Sequence, residues 1–74
     1  MPKLPILSGR EIVKVFERLG WEVARQRGSH IILVKEGHVA TLSVPNHCEV
    51  ARGTLRSLIA HADIEAKEFM FAME

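Results

Sequence analysis

The 74-residue chain has little of several things, and each shortage narrows the field. It contains one cysteine, Cys48, so no disulfide can close within the chain, and a reducing compartment suits it best. The start, Met1-Pro2-Lys3-Leu4-Pro5, lacks the apolar core of a secretory signal. No stretch approaches the roughly 20 apolar residues of a membrane span. The expectation is a soluble, cytoplasmic protein with no membrane partner. No repeat, low-complexity tract or linker divides the chain, and its length suits a single domain covering residues 1–74. Such a domain buries only roughly 60% of its unfolded surface, which leaves a thin stability margin. Zinc-type ligand spacing is also missing. His47-Cys48-Glu49 places three ligand types in succession, but adjacent side chains diverge, so neither a metal nor another cofactor is expected.

Net charge is only +1, and its distribution says more than its sum. Residues 1–35 carry seven basic and three acidic groups, while residues 36–74 carry three basic and six acidic ones. A domain polarised in this way can meet a phosphate backbone on its basic side.

The apolar pattern gives the elements. Ser8 and Glu11 have capping-box spacing, and Ile12, Val15, Phe16 and Leu19 follow as one helical stripe ending at Gly20. Lys14 and Arg18 lie off that stripe and should be solvated. Trp21–Arg25, Ser29–Lys35 and Val39–Val44 read as three strands, the last stopped by Pro45. Their tight spacing predicts an antiparallel meander. A second helix is predicted over Arg52–His61, with Leu55, Leu58, Ile59 and Ala62 inward, and Asp63 or Glu65 opens a short final helix carrying Phe69. The predicted fold is α+β, α-β-β-β-α, with a three-stranded antiparallel sheet and two helices packed on one face. The other face is free for a ligand. In the second strand His30, Ile32 and Val34 share one side and Ile31, Leu33 and Lys35 the other; both carry aliphatics, so parity leaves open which is uncovered.

His30 follows Arg25-Gln26-Arg27-Gly28-Ser29 and begins the most apolar run in the chain. Imidazole exchanges protons near neutrality, and the guanidinium forks of Arg25 and Arg27 suit phosphate oxygens. Gly28 allows close backbone approach, and Ser29 offers a hydroxyl. Phosphodiester chemistry is one reading of this cluster; a strand-end histidine that packs locally is the other. His47 is a second acid–base or RNA-binding candidate. His38 and His61 read as surface residues, Cys48 as a small packing residue, and Trp21 as core. Thr54 either caps the second helix or sits where its N-terminus could hold phosphate.

Leu19-Gly20-Trp21, Arg25-Gln26-Arg27-Gly28-Ser29-His30, Val44-Pro45-Asn46-His47 and Arg52-Gly53-Thr54-Leu55-Arg56-Ser57-Leu58-Ile59 together resemble the HicA-type mRNA interferase toxins. The likeness runs from about Leu7 to Phe69. It implies a fold similar to the double-stranded-RNA-binding domain. It also implies metal-independent endoribonuclease cleavage of mRNA, free or ribosome-associated, leading to growth arrest as part of a stress response. A HicB-type antitoxin would be the neutralising partner. The family's Gly-Ser-His histidine is catalytic, and Gly28-Ser29-His30 puts it at His30. The competing reading is a non-catalytic RNA-binding domain that uses the same basic strand face.

Overall fold

A computed structural model describes residues 3–74; Met1 and Pro2, the first residues of the stretch read for a secretory-signal core, lie outside the described residues. Helix α1 (Gly9–Arg18) starts where the capping box places it. The Ser8 hydroxyl accepts from the Glu11 backbone N–H at 3.1 Å, and the Glu11 carboxylate accepts from the Ser8 N–H at 2.9 Å. That backbone donor, then the Ser8 side chain and more weakly Lys14, holds the Glu11 carboxyl below its ordinary pKa. A depressed carboxylate stabilises the fold above its unfolded-state pKa and loses that contribution as pH falls through the folded-state value. Denaturant titrations at descending pH are therefore expected to show a smaller acid loss for Glu11→Gln than for the parent chain. Equal losses would detach the cap from the pH response. Ser8→Ala should cost about 1 kcal/mol at neutral pH.

Strands β1 (Glu22–Arg27), β2 (His30–Val34) and β3 (Leu42–Pro45) form one antiparallel sheet in the order β1-β2-β3. Helix α2 (Arg52–His61) and a short α3 (Ala66–Ala72) complete the α-β-β-β-α-α sequence. Helix α1 packs across all three strands and α2 against β3, whereas α3 packs on the two helices. The predicted α+β architecture holds, with α3 as an outer buttress. Phe16 is its keystone: its ring meets Trp21 edge-on at 6.2 Å and Phe69 of α3 at 5.3 Å. Arg18, predicted to be merely solvated, hydrogen-bonds the α3 carbonyls of Ala72 and Met73 at 2.9 and 3.2 Å. It thereby caps α3 with a cation at the negative end of its dipole.

Several boundaries move. The β1–β2 hairpin is tighter than predicted, because β1 runs on to Arg27 and Ser29 lies in the turn. Gly28 takes φ +57° at the first of two loop positions, the place where a II′ hairpin turn requires glycine. Strand β3 begins at Leu42, not Val39, and Val39 is fully exposed. His38 is not a surface residue: its ring lies 5.0 Å from that of Trp21 and is half-buried. Cys48 is exposed rather than packed. Thr54 does not cap α2, whose N-cap is Ala51 and which has no side-chain cap bond. Among the described residues, no helix is long and apolar enough to cross a membrane.

Candidate nucleic-acid interface

All helices lie on one side of the sheet, and Ile31, Leu33, Leu42 and Val44 face them. His30, Ile32 and Val34 therefore project from the other side, where His30 and Val34 are exposed and Ile32 is buried but stands apart from the helix-side core. The parity question left by the sequence is resolved in favour of an accessible imidazole.

The arginines reach that same side through a bulge. Val23 pairs with Leu33 but Arg25 pairs with Ile32, so Ala24 is the extra residue in β1. Side chains paired across a ladder share a face. Val23 is thus on the helix side beside α1, while Arg25 with Ile32, and Arg27 with His30, are on the open side. Without the extra residue the two guanidinium groups would follow Val23 towards the helices. Neither arginine makes an ion pair among the described residues, so both remain free to meet an anion.

Arg27, Gly28 and His30 line one shallow depression, and its fourth member is Ser43 of β3. The His30 Nδ1 lies 3.2 Å from the Ser43 Oγ. Its Nε2 has no hydrogen-bond partner among the described residues and the ring is exposed. The arrangement presents one proton-exchanging nitrogen and one guanidinium to solvent across a hairpin end. Sequence reasoning missed Ser43. The available signal was the alternation Leu42-Ser43-Val44, which turns the hydroxyl outward between two buried residues.

The other candidates divide. Arg25 shares the open face but does not line the depression. Ser29 contributes its backbone, accepting the Asn46 N–H at 2.7 Å and so tying the loop after β3 to the hairpin. His47 sits exposed on that loop. Its carbonyl accepts the Gly9 N–H at 2.9 Å, and its imidazole does not line the depression with His30. His61 is a surface residue at the end of α2, as expected, with Nδ1 2.8 Å from the Ser57 carbonyl oxygen. No cluster of three or more His, Cys, Asp or Glu side chains capable of holding a metal occurs among the described residues.

The family model described as HicA toxin of bacterial toxin–antitoxin matches residues 9–64, from the start of α1 past the end of α2. No curated protein and no solved structure matches the chain.

Proposed function

This chain belongs to the HicA toxin family of bacterial toxin–antitoxin systems, and from that premise we propose that it is an endoribonuclease that cleaves mRNA on the open sheet face. The observation that carries the proposal is the exposed His30 imidazole, with one nitrogen held by Ser43 and the other facing solvent beside Arg27. In this mechanism the ribose 2′-hydroxyl attacks the adjoining phosphorus while its proton passes to His30 Nε2. The P–O5′ bond breaks as the same nitrogen returns that proton to the departing oxygen, leaving a 2′,3′-cyclic phosphate. Negative charge gathering on the phosphorane oxygens meets the Arg27 guanidinium. Arg25, two residues back along the strand, takes a neighbouring phosphate. Gly28 keeps the rim of the depression clear, since no atom stands within 4 Å of where a Cβ would project.

His47 is an auxiliary RNA contact in this scheme, because one imidazole nitrogen can serve both proton transfers in turn. Ser29 acts through its backbone bond to the loop that carries His47. The neutralising partner is a HicB-type antitoxin that covers the open sheet face. A domain that only bound RNA would need the two arginines but not a solvent-facing imidazole held on a hydroxyl.

Substrate chemistry and salt dependence test this reading together. An oligoribonucleotide is expected to be cut, while the same strand with 2′-deoxyribose throughout binds but stays intact. Each single-strand phosphate contact contributes about −0.7 to the slope of log K against log salt. The double variant Arg25→Ala/Arg27→Ala should therefore flatten the slope for the deoxy strand by about 1.4. Cleavage of the all-deoxy strand would exclude 2′-hydroxyl attack, and an unchanged slope would remove the arginines from the interface.

A further inference from the structure

We propose that Ser43 is a positioning residue whose Oγ accepts from His30 Nδ1–H and so holds the ring with Nε2 unprotonated, an assignment that rests on the ribonuclease reading. His30 pairs with Pro45 and Ile32 with Ser43, so Ser43 stands diagonally across the β2–β3 ladder from His30 on the open face. A diagonal neighbour is within reach of a long side chain, and the Ser43 Oγ to His30 Nδ1 separation is 3.2 Å. With Ser43 Oγ as acceptor, Nδ1 carries the proton and Nε2 presents its lone pair to the substrate. When Nε2 takes up the 2′-hydroxyl proton, Nδ1–H keeps its bond to Oγ. When Nε2 gives the proton up, the starting tautomer returns without any rotation of the ring. One nitrogen thus acts as base and then as acid.

The choice of a hydroxyl has an electrostatic reason. A carboxylate in the same place, able only to accept, would hold the Nδ1–H form more strictly, yet its charge would repel the phosphate that the depression must admit. Serine orients without adding charge. The charged group beside the ring is Arg27 of β1, while β3 contributes Ser43 and Pro45, neither of which titrates near neutrality.

The test is spectroscopic and kinetic on the same proteins. Long-range nitrogen–proton spectra of His30 in the full chain are expected to show mainly the Nδ1–H form in the neutral state. In Ser43→Ala the balance should move towards the Nε2–H form that free histidine favours, and single-turnover cleavage should fall by about tenfold. Ser43→Thr, which keeps a hydroxyl at that position, should restore both. Identical tautomer populations in the parent chain and Ser43→Ala would overturn the proposal, as would an unchanged cleavage rate. If the parent chain cuts no RNA, the ribonuclease reading falls, and the tautomer populations still decide whether Ser43 orients the ring.

Discussion

Gly9→Ala is expected to destabilise the fold by about 3 kcal/mol, although alanine is ordinarily the better helix residue by about 1 kcal/mol. Gly9 opens α1 and is buried against the last residue of β3 and the first residue after it. A Cβ there would stand 2.9 Å from the Asn46 Cα and 3.0 Å from the Pro45 carbonyl carbon, with the Pro45 oxygen nearer still. These are backbone atoms, so relief requires moving the chain rather than rotating a side chain. The same movement strains the Gly9 N–H bond to the His47 carbonyl. A domain of this length has between about 4 and 11 kcal/mol in total, so the loss is a large share. It also reaches the candidate site, because the Asn46 N–H is bonded to the Ser29 carbonyl in the hairpin that presents His30. Urea unfolding should show a lower midpoint with an unchanged m-value, accompanied by weaker cleavage. Gly53→Ala is the matched control: it lies in the first turn of α2 with no atom within 4 Å of its would-be Cβ, and should be neutral or stabilising. Equal stability of Gly9→Ala and the parent chain would contradict the described contact between α1 and the loop.

Local rules reached far into this fold and stopped at its long-range contacts. The Ser8–Glu11 box and the stripe through Ile12, Val15 and Phe16 mark α1 because both signals lie within a few residues of each other. Leu55, Leu58 and Ile59 mark α2 for the same reason. The bulge at Ala24 is different. Nothing in Trp21-Glu22-Val23-Ala24-Arg25 distinguishes an extra residue from plain alternation, since it exists only as a mismatch with β2. Yet that residue decides which face receives Arg25 and Arg27. The Gly9 contact and the Ser43–His30 bond are likewise pairings between distant parts of the chain. His38 follows Gly37 in a turn, a setting that reads as solvated, and its burial comes from Trp21, a residue distant in the chain. At the candidate site, Gly28-Ser29-His30 was legible as a motif, whereas the openness of its face depended on which side the helices chose.

That openness makes His30→Ala the most informative single change. His30 is exposed, and its one side-chain hydrogen bond is to the exposed Ser43, so its removal should alter stability by no more than about 0.5 kcal/mol. Loss of a general acid–base group lowers rates by about 10²- to 10⁴-fold. Because the proposed mechanism routes both proton transfers through one nitrogen, the upper part of that range is expected. Binding of the all-deoxy strand should survive, since Arg25 and Arg27 are untouched, and growth inhibition should disappear with the cleavage. Affinity for a HicB-type antitoxin should persist, because such a partner would cover the whole face rather than one ring. The direct test is single-turnover cleavage of an oligoribonucleotide by the purified parent chain and His30→Ala, in chelator and with matching unfolding midpoints. Cyclic-phosphate products are expected from the parent chain, with a rate at least 10³-fold lower from the variant. Equal rates from two equally folded proteins would contradict the proposed mechanism.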